Sequence, residues 1–451
     1  MAGAPHDIKV IEPSHNFLRF SPDVAYLLRR IDAGLARIES ADLWPSSTEA
    51  LRFGAQVGTI HYSTLIEGNR LGVPEAERAA RGQLDAKTKA EIELVNYVDS
   101  LTLIDRRMAE DGLAFTEQFI KDVHYEATKG LGTEEGPFKP HHEGEWRDGE
   151  AGVWDPLAGK MVHQGSKQAE VRPRMLGLIE WVAEVEDRPI DWPPAVISGI
   201  VHWNLAEVHP FADGNGRTAR LIASAMLTRH GMTPGRMFNF DAHYGKAKDA
   251  YFDALRSVVR NTRNHEAWMR YFLTGLAQEY ERVQQEVDRL AAIGRTGRGA
   301  RVQLSGTQQR ALTELAISNR VEFTREEYQQ AAGVRKSSAV DDLRRLVSDA
   351  VVVPKGSGPS RRYRLAAPAG QRRRAASSET ARDWTDTRIE AELRWLVGAE
   401  TRFPSVRRFD EAGRRDLYGA IVRHGGSQLW AARLRLEPPR RGRPPKTRGG
   451  V

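Results

Sequence analysis

The stretch HPFADGNGRTAR, residues 209–220, decides the fold of the first half of the chain. Gly214 and Gly216 predict a turn that joins the apolar helix before it to a second helix after it. A glycine-rich turn at a helix N-terminus lets consecutive backbone N–H groups converge on an anion. The sequence therefore predicts two helices joined by an anion-binding loop.

The charged side chains of this stretch suit phosphate chemistry. Arg217 and Arg220 lie about one turn apart on the second helix, where two cations oppose the helix dipole unless an anion is bound. Asp213 adds a carboxylate of the kind that holds Mg2+ beside nucleotide phosphates. His209 is placed to take a proton from an incoming hydroxyl. We favour a polyphosphate site over a plain helix connection with a capping Asp and surface arginines.

The residues around this stretch predict a mainly α fold. Helical spacing of apolar residues runs through 27–38 and 92–101, and Pro193 and Pro194 begin the apolar helix before the loop. Turn residues in the segment 144–166 predict a β-hairpin that lies across this helical body as a flap.

Composition excludes several classes of protein. The chain has 451 residues, 40% hydrophobic and 28% charged, which is typical of a globular protein with several domains. It has no Cys, so a disulfide scaffold, a Cys-based zinc site and a cysteine nucleophile are excluded. A membrane-spanning apolar run and a secretory signal are both missing from the sequence, so we expect a cytoplasmic location.

The net charge of +7 is an average of two unlike parts. Residues 1–290 carry a balance of −9, and residues 291–451, with 33 basic and 17 acidic side chains, carry +16. An acidic body joined to a basic third indicates an enzyme linked to a part that meets nucleic acid. A solvated charge asymmetry is the alternative that charge alone leaves open.

Breaks in composition predict the domain organisation. Gly- and Arg-rich residues 293–303 and the linker 366–382 separate three folded parts. The predicted parts are a helical domain over 15–290, a winged-helix domain over 305–366, a small helical unit over 383–436, and a basic tail over 437–451.

The stretch 209–220 resembles the Fic signature, H-x-F-x-[D/E]-G-N-G-R-x-x-R, at every defined position. The resemblance extends over roughly 18–285 and includes a flap-like hairpin led by Gly144-Glu145-Trp146-Arg147. It implies a helical protein that transfers AMP from ATP to a hydroxyl of a target protein, with Mg2+ as cofactor.

The resemblance also implies residue roles. His209 would be the general base and Asp213 the magnesium ligand. The phosphates would be held by Gly214, Asn215, Gly216, Arg217 and Arg220. The candidates for the two sides of the adenine are Val153, Tyr251 and Phe252. The far arm of the flap lacks the Pro-rich stretch common in the family, which leaves target docking open.

An inhibitory element is predicted upstream. Ser63 and Glu67 are four residues apart and share a helix face, and Gly68 stands in the C-cap position. Taken alone, Glu67 reads as a solvated helix-end carboxylate. Beside the signature, the segment resembles the inhibitory motif [S/T]-x-x-x-E-[G/N] of Fic proteins. A carboxylate paired with Arg220 would remove a phosphate-binding cation and place negative charge near the γ-phosphate position.

The basic third is predicted to bind DNA. Three helices and a strand pair over 305–366 read as a winged helix, with Arg335 and Lys336 at the start of the recognition helix and Arg361 and Arg362 on the wing. Protein docking or dimerisation by this module is the alternative. The tail resembles an AT-hook, with Arg441, Gly442, Arg443 and Pro444 as its minor-groove core. A nonspecific polyanion-binding tail is the alternative there.

These observations predict a protein adenylyltransferase that is autoinhibited by Glu67 and carries DNA-binding modules. The alternatives are a DNA-binding transcriptional regulator that senses nucleotide through the same site, and an enzyme that removes AMP. The expected partners are ATP, a target protein with a modifiable hydroxyl, and DNA, with no membrane. The sequence leaves the oligomeric state open, with a homodimer as one candidate. A metal site built on His141, His142 and Glu143, or on His202 and His209, lacks the spacing of a complete ligand set.

Overall fold

The structure of the protein is a computed structural model that describes most of the chain. The described residues are 22–134, 138–155, 160–187, 192–258, 264–294, 302–318, 322–358, 361–366, 386–397, 401–412 and 414–438, without the side chains of 153–155, 160–162, 387, 388, 391, 395, 411 and 416. The tail residues Arg441, Gly442, Arg443 and Pro444 and the side chain of Val153 therefore lie outside this description. The chain forms two compact units, which take in the described residues of 22–366 and of 386–438.

Helices build most of the first unit, as the sequence predicts. In chain order they are α1 (Pro22–Glu39), α2 (Pro45–Ile66), α3 (Val73–Ala80), α4 (Lys89–Asp111), α5 (Glu117–Thr128), α6 (Gln168–Glu186), α7 (Pro194–Val208), α8 (Asn215–Arg229), α9 (Asp241–Lys246), α10 (Lys248–Arg256) and α11 (Glu266–Ala291). Local chemistry sets their ends: a capping box of Thr88 and Glu91 begins α4, and Gly112 ends it in the left-handed conformation. In the part of the chain that is described, no helix is long and apolar enough to cross a membrane.

Helix α7 lies in the core and carries the loop that the sequence singled out. Every residue from Ala195 to Leu205 is buried, which is the pattern of a helix surrounded by protein on all sides. Gly199 permits the close approach of α11, because a Cβ there would lie 2.9 Å from the Met269 Cε. Helix α8 packs along α7. The loop between the two helices is therefore held by the core.

The predicted flap is confirmed as an antiparallel hairpin of β1 (Gly152–Asp155) and β2 (Lys160–Gln164). Two backbone hydrogen bonds tie its base to the loop after α7. The Arg147 N–H donates to the Pro210 carbonyl at 3.0 Å, and the Ser166 N–H donates to the Val208 carbonyl at 3.1 Å. The base of the flap is thus fixed beside His209.

The last part of the first unit combines three helices with a small sheet. Its elements are α12 (Gly306–Ile317), β3 (Glu322–Thr324), α13 (Arg325–Ala332), α14 (Lys336–Ser348), β4 (Val352–Lys355) and β5 (Arg362–Leu365). The three helices agree with the three that the sequence predicts over 305–366. The antiparallel sheet has the order β3-β5-β4, and β3 is a strand that the sequence did not predict. In this part of the first unit, the four residues predicted to contact DNA are exposed: Arg335, Lys336, Arg361 and Arg362.

Helix α2 belongs to two apolar clusters. Beside its N-terminus, Trp44 packs in the core of the α12–α14 part, and the buried Ser47 Oγ lies 2.9 Å from the Thr313 Oγ1. Farther along, Ile60 and Ile66 pack in the main helical core. One helix therefore connects the α12–α14 part with the helical body.

The second unit is a small helical assembly. It contains α15 (Asp386–Val397), α16 (Val406–Glu411), α17 (Arg415–Arg423) and α18 (Gly426–Arg433). Its core includes Leu393, Leu396, Phe403, Leu417, Ile421 and Trp430. Gly425 has a φ of 103° and Gly426 a φ of 80°, so the turn between α17 and α18 uses a conformation that glycine adopts readily.

Candidate active site

The loop between α7 and α8 has a left-handed residue at each end. His209 has a φ of 54° and caps α7, and Gly214 has a φ of 72° and caps the start of α8. A Cβ at Gly214 would lie 2.5 Å from the Thr128 Cγ2, so a larger residue would meet both a steric and a conformational obstacle. This geometry turns the chain sharply and aims the α8 N-terminus out of the loop.

Asn215 holds the loop closed from inside. Its buried side chain accepts a hydrogen bond from the Phe211 N–H and donates one to the Phe211 carbonyl, both at 2.8 Å. The resemblance assigns Asn215 to the phosphates, but its side chain is committed to the loop. What it can offer a ligand is its backbone N–H, in the first turn of α8.

Replacing Asn215 with alanine is expected to lower the free energy of unfolding by about 3 kcal/mol, because the buried Phe211 N–H and carbonyl would lose their partners. Urea denaturation followed by circular dichroism measures this change. Gln118→Ala removes an exposed amide and serves as the control, with an expected change within about 0.5 kcal/mol. Equal stabilities of the two variants would contradict the structural role of Asn215.

His124 on α5 packs against the loop, a contact that the sequence did not predict. Its ring stacks on Phe211 with a centroid distance of 3.7 Å. The Nδ1 accepts from the Gly144 N–H and the Nε2 donates to the Asp213 carbonyl, each at 2.9 Å. Burial lowers the pKa of His124 to about 4, so the ring is neutral at pH 7. In the sequence, His124 is a lone histidine among apolar residues of α5, and this pattern does not show which groups its ring contacts.

His209 presents a neutral imidazole at the loop. Burial, together with the nearby His163, whose ring centroid is 5.7 Å away, lowers its pKa to about 4. The Nδ1 lies 3.4 Å from the Ala206 carbonyl, which can only accept a hydrogen bond, so this geometry leaves Nε2 as the basic nitrogen. The His209 carbonyl accepts from the Arg147 Nε at 2.8 Å, which fixes the backbone. His209 can therefore accept a proton at neutral pH.

Asp213 offers an accessible carboxylate near the loop's end. Its Oδ1 accepts from the Gly214 N–H at 2.7 Å, and its Oδ2 lies 4.0 Å from the Arg217 Nη2. The side chain is 46% exposed. Over the described ranges, no three His, Asp or Glu side chains converge as a metal site. Any metal here would therefore take most of its ligands from a substrate or from water.

The two arginines of the loop motif diverge from each other. The buried Arg217 reaches α5, where its Nη1 donates to the Ala127 carbonyl at 3.2 Å. Arg220 reaches α2, where its Nε donates to the Ser63 Oγ at 2.8 Å and its Nη2 to the Ser63 carbonyl at 2.9 Å. The two cations therefore flank the α8 N-terminus instead of forming one patch.

The predicted contact between Glu67 and Arg220 is present. The Arg220 Nη2 donates to the Glu67 Oε1 at 2.8 Å. The guanidinium is 1% exposed and the carboxylate 34% exposed, so the pair joins a buried cation to an anion at the surface. Burial alone would lower the pKa of Arg220, but the charge of Glu67 raises it above its ordinary value. The pair is fully ionised at neutral pH.

The Glu67 carboxylate also lies against the start of α8. A Cβ on Gly216 would be 2.3 Å from the Glu67 Oε1, so the carboxylate occupies the space beside this glycine. Burial would raise the pKa of Glu67, yet Arg220 and Arg217 lower it below its usual range. Glu67 thus places a negative charge where the backbone N–H groups of α8 would receive an anion.

Two of the residues predicted for the adenine side differ in their exposure. Tyr251 is buried, and its hydroxyl lies 2.8 Å from the His202 Nε2. Phe252 is half-buried, and the Lys248 ammonium lies 5.7 Å from its ring centroid. Of these two aromatic residues, Phe252 is the one with a face near solvent.

A family model matches the part of the chain that contains this loop. The model describes the Fic/DOC family, and the matching residues are 114–227. This part of the chain is therefore a Fic domain.

Two relatives carry names that describe an activity. The chain is 23% identical over 206 residues to the protein adenylyltransferase Fic of Nematostella vectensis, covering 45% of this chain and 44% of that protein. It is 38% identical over 97 residues to the protein adenylyltransferase fic-1 of Caenorhabditis elegans, covering 21% of this chain and 19% of that protein. The chain thus spans less than half the length of these relatives.

A solved structure shares the fold. The crystal structure of a Fic family protein from Desulfovibrio desulfuricans G20 superposes with a TM-score of 0.52 at 20% identity, covering 77% of this chain and 96% of that chain. The predicted helical, Fic-like fold class is confirmed.

Proposed function

We propose that the protein is an adenylyltransferase that transfers AMP from ATP to a hydroxyl side chain of a target protein. The observation that carries the proposal is the neutral imidazole of His209 beside the N-terminus of α8. The target hydroxyl oxygen attacks the α-phosphorus, a new O–P bond forms, the bond to the bridging oxygen breaks, and pyrophosphate leaves. His209 Nε2 accepts the hydroxyl proton.

The phosphates would bind at the start of α8. The first N–H groups of a helix have no acceptor within the helix, and the dipole favours an anion there. Gly214 and Gly216 place no side chain over this helix start, and Arg217 and Arg220 supply charge from two sides. Phe252, with its half-buried ring, is our candidate for the adenine side.

Asp213 fits the role of the magnesium ligand. Mg2+ in nucleotide sites is usually held by one or two carboxylates together with phosphate oxygens and water, which agrees with a single exposed carboxylate beside the loop. When bound, the ion neutralises phosphate charge. Asp213 keeps its Oδ1 on the Gly214 N–H, which leaves its Oδ2, 4.0 Å from the Arg217 Nη2, for a metal ion.

We propose that Glu67 inhibits the enzyme in its resting state. Its carboxylate neutralises Arg220 and lies beside Gly216. An incoming γ-phosphate would meet a negative charge and would lose its cation. Since Glu67 is 34% exposed, the side chain can swing into solvent without rearrangement of the core.

Transfer of isotope from ATP tests the proposed reaction. We expect the Glu67→Gly variant to increase protein labelling in a cell lysate, relative to lysate alone, from ATP that carries the isotope at the α-phosphate and not from ATP labelled at the γ-phosphate. An increase over lysate alone from the γ-labelled ATP would indicate phosphoryl transfer and overturn the proposal. Binding of ATP without any labelling would favour a nucleotide sensor.

We also propose that the basic third places the enzyme on DNA. Arg335 and Lys336 are exposed at the N-terminus of α14, and Arg361 and Arg362 are exposed at the start of β5. The sequence after Leu436 adds five basic residues and one acidic residue. Exposed cations on a recognition helix and an adjoining strand are the contacts that position such modules on phosphates.

Truncation after Leu436 is expected to weaken DNA binding and to flatten its salt dependence. Loss of five cations should make the slope of the logarithm of the DNA association constant against the logarithm of the salt concentration shallower by about 4. Fluorescence anisotropy with an A·T-rich duplex, repeated over a salt series, measures both quantities. A full-length variant with the five basic residues replaced by glutamine should behave like the truncation. An unchanged slope in both variants would overturn the role of the tail.

A further inference from the structure

A second carboxylate lies close to Arg220. Asp241 is the first residue of α9 and is buried, with its side chain 6% exposed. Its Oδ1 lies 3.5 Å from the Arg220 Nε. Its Oδ2 accepts a hydrogen bond from the Tyr97 hydroxyl at 3.4 Å. The buried guanidinium therefore has two carboxylates within ion-pair distance, Glu67 from the end of α2 and Asp241 from α9.

The two anions differ in how freely they can move. Glu67 ends α2, and its side chain is 34% exposed. Asp241 is enclosed by protein and tied to Tyr97 on α4, whose hydroxyl stays protonated because burial raises its pKa. Glu67 can leave Arg220 while Asp241 stays in place. A buried guanidinium without any counter-ion would be strongly destabilised.

We propose that Asp241 is a positioning residue: the permanent counter-ion that keeps Arg220 oriented toward the phosphates once Glu67 has moved away. This inference rests on the proposed function. Asp241 and the Ser63 hydroxyl hold Nε, and the Ser63 carbonyl and Glu67 share Nη2, so Nη2 keeps its place when Glu67 leaves. Glu67 and a γ-phosphate would then compete for the same donor on a cation that does not move.

The surroundings of Asp241 make its charge sensitive to pH. Arg220 faces it from α8, Tyr97 faces it from α4, and Tyr244 and Tyr251 contribute hydroxyls from α9 and α10. Burial raises the pKa of Asp241 to about 6, although Arg220 opposes the rise. Below about pH 6 the residue becomes neutral, and Arg220 loses its fixed counter-ion.

The test uses the Glu67→Gly background, in which Asp241 is the remaining carboxylate of the two that contact Arg220. We expect Asp241→Asn in this background to raise the KM for ATP about tenfold, the effect of one charge-assisted contact, with kcat changed less than KM. Asn keeps the size of the side chain and an acceptor for Tyr97, and removes only the charge. Asp249→Asn removes an exposed carboxylate on α10 and serves as the control, with no expected change.

A pH series separates positioning from a purely structural role. In Glu67→Gly, the KM for ATP should rise as the pH falls from 7 to 5, and the Asp241→Asn double variant should lose this rise. Protonation of ATP itself is common to both variants and cancels in the comparison. An unchanged KM, or the same pH profile in both variants, would overturn the inference.

The outcomes distinguish this inference from the proposed function. If Glu67→Gly transfers no AMP, the proposed function fails before Asp241 is tested. If Glu67→Gly is active and Asp241→Asn leaves its KM and pH profile unchanged, only the role of Asp241 fails. Thermal denaturation of the double variant checks that it is folded, and Tyr97→Phe, which keeps the carboxylate charged, should retain the pH dependence.

Discussion

Replacing His209 with asparagine in the Glu67→Gly background is expected to slow AMP transfer about 1,000-fold, the usual contribution of a general base. The variant lacks the imidazole to which we assign acceptance of the hydroxyl proton. Asparagine is the suitable replacement because it tolerates the left-handed conformation that His209 adopts, with its φ of 54°. Single-turnover labelling with α-labelled ATP measures the rate.

ATP binding should survive this change, because the phosphate-binding groups belong to α8 and remain in place. His141→Asn, at an exposed position, is the matched control and should transfer AMP at the unchanged rate. The low pKa of His209, about 4, keeps the imidazole unprotonated between pH 6 and 8, so its titration should not change the transfer rate there. The rate should fall as the ring protonates near pH 4. A His209→Asn variant that still transfers AMP normally would remove His209 from the mechanism.

Much of the first unit could be predicted from local sequence. The Pro pair at 193–194 and the apolar residues after it predict α7, and the glycines of the loop predict its end and the start of α8. The bounds of α12, α13 and α14 follow from caps and from apolar spacing. These features depend on residues within one or two helical turns, which is the range over which spacing and capping act.

The supports of the site could not be predicted in the same way. His124, Asp241 and Arg147 reach the loop or Arg220 from distant parts of the chain. No periodicity marks such residues, because their partners depend on how helices pack. The divergence of Arg217 and Arg220 has the same origin: spacing places both on one helix face, and different neighbours draw them apart.

Helix α2 contacts both the predicted DNA-binding part and Arg220, a connection that the sequence does not predict. Beside its N-terminus, Trp44 packs among residues of the α12–α14 part, and at its C-terminus Glu67 contacts Arg220. A helix of 22 residues is about 33 Å long and stiff over that length. Helix α2 therefore joins the α12–α14 part, for which we propose DNA binding, to the residue that we propose as the inhibitor.

Replacing Glu67 with glycine is expected to raise AMP incorporation about 10- to 100-fold. This factor corresponds to the free energy of one hydrogen-bonded ion pair with a buried cation. The change frees Arg220 for the γ-phosphate and clears the space beside Gly216. Incorporation of α-labelled ATP at a fixed enzyme concentration measures the increase. Glu49→Gln changes an exposed carboxylate on the same helix and should leave incorporation unchanged.

Glu67→Gln separates the charge of this residue from its bulk. Glutamine keeps the length of the side chain and an oxygen that can accept from Arg220, so it retains the steric obstacle beside Gly216 and loses the negative charge. If the charge dominates, Glu67→Gln should recover most of the increase seen with glycine, because the γ-phosphate no longer meets an anion. If the bulk dominates, Glu67→Gln should remain as slow as the unmodified protein. Equal incorporation by all three proteins would show that Glu67 does not restrain the enzyme, whatever its contact with Arg220.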